Sequence, residues 1–149
     1  MKIEVAKISD IPELCLLLES LFIQEAEFKS ERDAQIRGLS LVIENEDVGD
    51  ILIVRDKENI IGMVNILYTV STALGARVGI LEDMVISSAD RGSGIGSKLL
   101  ERAFEFAQEK GCQRITLLTD YDNDGAHRLY QKHGFNLSTM VVFRKMLSY

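Results

Sequence analysis

The stretch Arg91-Gly92-Ser93-Gly94-Ile95-Gly96 stands directly before an apolar stripe of helical spacing, Leu99, Leu100, Ala103, Phe104 and Ala107. A turn with glycines at 92, 94 and 96 lets backbone N–H groups converge, unobstructed by Cβ atoms, on an anion at the positive end of a helix dipole. Phosphate is the anion such a turn suits, and a tight strand-to-helix turn without a ligand is the plain alternative. Two phosphate motifs are excluded by the letters. The dinucleotide fingerprint Gly-x-Gly-x-x-Gly meets Ser97 at its sixth position when started at Gly92 and Leu99 when started at Gly94. The P-loop fails because Lys98 follows Ser97 rather than a glycine and precedes Leu99 rather than Ser or Thr. Other chemistry is thinly supported. His127 and His133 lack the i, i+4 spacing of a helical metal pair and read as surface residues. Cys15 and Cys112 are too few and too far apart for a zinc site or a disulfide framework, and no Cys-His pattern points to a nucleophile. Buried thiols and no metal are expected.

The elements around the glycine turn follow from periodicity. Arg77 to Ile86 and Arg114 to Thr119 read as strands on either side of it, so 77–119 forms a β–loop–α–β unit whose strands are parallel with a right-handed crossover. Upstream, Lys2 to Ile8 alternates as a short half-exposed strand. Ser9-Asp10-Ile11-Pro12 then opens a helix whose stripe is Leu14, Leu17, Leu18, Leu21 and Phe22. A loop falls around 24–29, and Ser30-Glu31-Arg32-Asp33 resembles a capping box before a second helix carrying Ile36, Leu39, Val42 and Ile43. Asp50 to Arg55 and Ile60 to Val70 are strands joined by the polar turn Asp56-Lys57-Glu58-Asn59, a β-hairpin. A last helix spans about Asn123 to His133, and strand material follows in Phe135 to Leu137 and Val141 to Met146.

Composition sets the outer limits. With 149 residues, 46% hydrophobic, 11 Gly and 1 Pro, the chain is expected to form one globular domain over 1–149 with its own core. A net charge of −6 argues against general attraction to nucleic acid. No apolar run approaches the ~20 residues of a bilayer span. The charges in Met1 to Lys7 do not suit a secretory signal, so a cytoplasmic protein without membrane or nucleic-acid partners is expected.

Arg91, Gly94 and Gly96 also fit [Arg/Gln]-x-x-Gly-x-[Gly/Ala], the pyrophosphate loop of the GNAT superfamily of N-acetyltransferases, which the chain resembles. A second superfamily motif, Asn-x-x-Ala-x-x-[Leu/Phe]-Tyr-x-x-x-Gly-Phe, is matched at all its fixed positions by Asn123, Ala126, Leu129, Tyr130, Gly134 and Phe135. The resemblance implies an α/β GNAT-like fold: a mixed, mostly antiparallel sheet with a central, splayed parallel strand pair, flanked by helices. It implies acetyl-CoA as cosubstrate, with the pantetheine arm along Met84, Val85 and Ile86. The pyrophosphate would meet the N–H groups of Arg91, Gly92, Ser93, Gly94, Ile95, Gly96 and Ser97. Asn123 matches a cofactor-contacting position and is also a natural helix cap.

Acetylation of an amine needs a base near the nitrogen and an acid near the sulfur. Tyr130 matches the superfamily's acid. Leu81-Glu82-Asp83 offers two carboxylates, which on a regular strand point to opposite faces. Leu-Glu-Asp followed by Arg-Gly-x-Gly-Ile-Gly-Ser resembles the diamine and polyamine acetyltransferases, in which the Glu is a base acting through water. This favours Glu82, with Asp83 or bulk water as alternatives. Between the first two helices, where the superfamily shapes its acceptor pocket, Glu25 and Glu27 stand between Phe22 and Phe28, a set that suits a small cationic amine. The expected activity is direct acetyl transfer to a primary amine in a ternary complex. A protein lysine or N-terminal acetyltransferase and a non-catalytic acyl-CoA sensor are the alternatives, and many relatives are homodimers.

Overall fold

The computed structural model describes residues 1–24 and 31–149. Among the described residues nine helices and strands carry the fold: β1 (Lys2–Val5), α1 (Ile11–Gln24), α2 (Arg32–Ile43), β2 (Gly49–Asp56), β3 (Asn59–Ser71), β4 (Ala76–Ile86), α3 (Ile95–Glu109), β5 (Ile115–Leu117) and α4 (Asp124–Lys132). The strands form one sheet in the order β1-β2-β3-β4-β5, antiparallel from β1 to β4 and parallel between β4 and β5. The expected hairpin forms across Asp56 and Asn59. No described helix is long and apolar enough to cross a membrane.

Helices cover both faces, which is why β2 and β3 read as nearly continuous apolar runs rather than as alternating strands. On one face Ile51, Ile53, Met63 and Val85 pack with Leu14, Cys15 and Leu18 of α1 and Leu39 and Val42 of α2. On the other, Leu52, Val54, Val64, Ile66 and Leu81 pack with Leu99, Leu100 and Ala103 of α3. Each large side chain so buried stabilises the fold by about 1.5–3 kcal/mol. The α3 stripe is the one expected from spacing, with Phe106 buried as well.

Three expectations are corrected. The helix α2 starts from Glu31, whose side chain makes no capping bond, while Ser30 of the expected capping box lies outside the described residues. No strand forms in 135–137 or 141–146: after Phe135 the chain has no regular secondary structure, and β5 is the last strand of the described sheet. The alternating apolar residues are there, but ladder formation also needs an aligned partner, and no described strand supplies one. Third, His133 is not a surface residue. Its side chain is 8% exposed, and its Nε2 lies 2.9 Å from Ser97 Oγ, tying the end of α4 to the first turn of α3.

Candidate functional site

Pairing between β4 and β5 covers only Gly79–Leu81 against Ile115–Leu117. Beyond Leu81 the two strands part, and a cleft of about 1020 Å³ opens between them, closed on its other sides by α4 and the start of α3. Its position, beyond the carboxyl end of a parallel pair, is where α/β sheets generally hold ligands.

A bulge shapes one wall. Met63 pairs with Val85 and Asn65 with Glu82, so Val64 alone faces both Asp83 and Met84. Asp83 takes a left-handed conformation, φ 54°, as bulges permit. The extra residue resets the alternation: Leu81, Met84 and Ile86 pack toward α3, whereas Val85 packs toward α1 and α2. Asp83 reaches Asn65, whose Nδ2 donates to Asp83 Oδ2 at 2.5 Å. This corrects the expectation that Glu82 and Asp83 face opposite ways, since both line the cleft. Asn65 is 6% exposed and its Oδ1 has no hydrogen-bond partner among the described residues, a cost of about 1–3 kcal/mol for a buried carbonyl. The orientation of its amide follows from the carboxylate it serves, which can only accept.

Of the glycine turn, Arg91 and Gly96 line the cleft. Gly92 and Gly94 have φ of 82° and 84°, so glycine is required there by conformation, although a Cβ at either would meet nothing. A Cβ at Gly96, which lines the cleft, would make ordinary contacts, 3.7 Å from Met84 Cε and 3.9 Å from Ile86 Cγ1 and Leu129 Cδ2. Gly94 caps α3 without a side-chain bond, and the first turn of α3 holds no acidic residue. The N–H groups there therefore keep their positive field undiminished. Arg91 lines the cleft while its Nε donates to Ile86 O at 3.1 Å. An uncapped helix start, a side-chain-free approach and a guanidinium fit a pyrophosphate, and the apolar wall of Met84, Val85 and Ile86 fits a thin acyl-carrying arm.

On α4, Tyr130 lines the cleft and packs edge-on against Phe135, ring centroids 5.8 Å apart. Asn123 also lines it and caps α4, its Oδ1 accepting from Ala126 N at 3.2 Å. Phe22 lies on the α1 side of the same cleft. The side chain of Ile95 instead enters the core. Glu25, Glu27 and Phe28 lie outside the described residues. Sequence reasoning missed Asn65, whose signal was a lone amide in the apolar run Ile60–Leu67, and Leu117, Leu118, Val142 and Arg144, which line the cleft but stand in no motif. Cys15 and Cys112 are buried, and burial pushes both thiols up, which holds them neutral.

Residues 12–135 match the family model described as the acetyltransferase (GNAT) family, and the chain belongs to that family. It is 30% identical over 146 residues, 95% of this chain and 94% of the relative, to the uncharacterized N-acetyltransferase YhfO of Bacillus subtilis (strain 168). It is 26% identical to the aminoalkylphosphonate N-acetyltransferase of Salmonella typhimurium, over 89% of this chain and 83% of that one. A solved integron cassette protein from the mobile metagenome of Cole Harbour Salt Marsh shares the fold, with a TM-score of 0.85 at 23% identity over 99% of this chain and 91% of its own. The protein is an acetyl-CoA-dependent N-acetyltransferase.

Proposed function

We propose that the chain works as a single domain that acetylates the primary amine of a small cationic molecule by direct transfer in a ternary complex. The observation that carries this reading is the meeting of Tyr130, Glu82, Asp83 and Phe22 around one cleft. Acetyl-CoA supplies an acetyl thioester there, held by the N–H groups of 91–97, by the backbone of Met84 to Ile86 and by Asn123. Glu82, exposed on the cleft wall, takes the proton from the acceptor's ammonium through water, leaving the nitrogen lone pair free to bond to the acetyl carbon. As the carbon–sulfur bond breaks, Tyr130 gives its phenolic proton to the sulfur, and the second proton that the nitrogen sheds in becoming an amide returns through solvent to the Tyr130 oxygen. Asp83, held by Asn65, attracts the cationic acceptor beside Phe22, with Glu25, Glu27 and Phe28 assigned to the same end on sequence grounds. The aminoalkylphosphonate enzyme, as a relative, supports a small-molecule acceptor over a peptide.

The test is thiol release from acetyl-CoA with putrescine, spermidine, an aminoalkylphosphonate and an N-terminal peptide as acceptors. Turnover with the two polyamines is expected, and Glu25→Gln with Glu27→Gln should raise their KM about 2- to 5-fold, as modest exposed contacts of about 0.5–1 kcal/mol each imply. Turnover with the peptide alone would replace this reading with a protein acetyltransferase, and none with any amine would favour an acyl-CoA sensor.

A further inference from the structure

His133 is titratable, buried against the start of α3 and unused by the acetyl-transfer chemistry. Its side chain is 8% exposed, and its Nε2 lies 2.9 Å from Ser97 Oγ. Ser97 is the third residue of α3, beside the uncapped N–H groups to which the pyrophosphate is assigned. The other ring nitrogen, Nδ1, lies 3.9 Å from Oε1 of Glu101, one turn further along α3. The backbone of the same residue closes α4, its N–H donating to the carbonyl of Tyr130 at 3.0 Å. Ser, His and Glu in this order resemble a hydrolytic triad. Glu101, however, is 65% exposed and beyond hydrogen-bond range of the ring, so it does not hold the imidazole as a base toward Ser97.

We propose that His133 is a positioning residue for acetyl-CoA: its Nε2–H donates to Ser97 Oγ and so turns the Ser97 hydroxyl proton onto a pyrophosphate oxygen. A serine hydroxyl has one proton to give and lone pairs to accept with. Either ring tautomer satisfies the 2.9 Å contact by itself, because Ser97 can donate to a bare Nε2 or accept from a protonated one. Only the second arrangement leaves the hydroxyl proton for an anion. The hydrogen bonds then run in one direction, from imidazole to hydroxyl to phosphate, and each polarises the next. The other tautomer spends the hydroxyl proton on the ring and turns an oxygen lone pair toward the anion. An anion at the start of α3 therefore selects the Nε2–H form. The proposal rests on the placement of the pyrophosphate at 91–97 and stands whichever amine is acetylated.

Calorimetry with CoA on a double-mutant cycle tests it. Ser97→Ala should weaken CoA binding about 10- to 100-fold, as the loss of a hydrogen bond to a charged group implies. His133→Leu should weaken it about 3- to 10-fold, since the hydroxyl remains but is no longer held. His133→Gln, which can set an amide N–H near the place of Nε2, should stay within about 2-fold of wild type. Added to Ser97→Ala, His133→Leu should change nothing further. A contact that merely packs α4 on α3 gives the opposite pattern, with losses that multiply in the double variant and no rescue by Gln, and either result would overturn the proposal. Nitrogen NMR of the wild type with CoA bound should show a proton on His133 Nε2, and a bare Nε2 would overturn the proposal even where the variants do not fold. Gly94→Asp separates this proposal from the assignment beneath it. If that variant leaves CoA affinity unchanged, the pyrophosphate lies elsewhere and both fail; if it weakens CoA while Ser97→Ala does not, only the role of His133 and Ser97 fails.

Discussion

In the β1–β3 part of the sheet polar groups meet partners close at hand: Arg55 donates to Glu4 at 2.7 Å and to Asp10 at 2.9 Å, Glu13 accepts from Ile60 N at 3.0 Å, and Asp10 accepts from Lys7 N at 2.8 Å. The β4–β5 part does the reverse. Its ladder stops after three residue pairs, its bulge leaves Asn65 Oδ1 buried and without a partner among the described residues, and the helix beside it starts without a side-chain cap. The difference separates two tasks within one sheet. The paired half supplies stability, and the open half keeps donors, acceptors and space for ligands, at a cost that the packing of the first half offsets. Substitutions in the open half should therefore alter binding and turnover while sparing stability, and substitutions in the paired half should do the opposite.

The largest effect is expected at Tyr130. Tyr130→Phe keeps the ring and its contact with Phe135 and removes the hydroxyl that carries the acidic proton, so kcat should fall about 100- to 10,000-fold with acetyl-CoA affinity nearly unchanged. Steady-state kinetics beside calorimetry will separate the two quantities, and full turnover would remove Tyr130 from the chemistry. Next comes Gly94→Asp, which forces a Cβ into φ 84° and sets a negative charge where a pyrophosphate would lie. CoA affinity should drop about 100-fold, roughly 2.7 kcal/mol. Unchanged affinity in a folded variant would move the phosphate site elsewhere.

The two carboxylates of the bulge separate by pH. Glu82→Gln should lower kcat/KM for the amine about tenfold near neutrality and recover as pH rises and free amine accumulates, because a base is needed only while the acceptor is an ammonium. Asp83→Asn should raise the KM of a cationic acceptor at every pH at which the acceptor is charged. If Asp83→Asn instead gives the pH-dependent loss, the roles of the two are exchanged.

What could be read from the letters divides along the same line as the sheet. The glycine turn, Asn123 as a cap and Tyr130 on its helix were legible because each depends on neighbours within a few residues. The α3 stripe and the hairpin were legible for the same reason. The bulge was not, since it is a mismatch in register between β3 and β4, and a strict period of two put Asp83 on the wrong face. Nor was the contact of His133 with Ser97, which joins residues 36 apart in the chain. The tail's apolar residues were read as strand material, and no strand forms there, because a ladder also needs an aligned partner that no described strand supplies.

The smallest effect on function is expected where the paired half is strongest. Arg55→Met removes the guanidinium shared by Glu4 and Asp10, and the carboxyl of Glu4 is held below its usual range mainly by that hydrogen bond, with Lys2 assisting. A carboxyl depressed in the folded state contributes stability above its unfolded pKa, and that contribution is lost as pH falls through the folded value. Wild type should therefore lose stability on acidification through the low carboxylate range, whereas Arg55→Met should start lower by a few degrees in Tm at neutral pH and converge with wild type in acid. Thermal melts at neutral and acidic pH will show the convergence, and a gap that stays constant would mean that Arg55 acts through packing rather than charge. At neutral pH and below the variant's Tm, kcat and acetyl-CoA affinity should match wild type, because neither Glu4, Asp10 nor Arg55 lines the cleft. A loss of turnover there without loss of fold would break the division between the two halves.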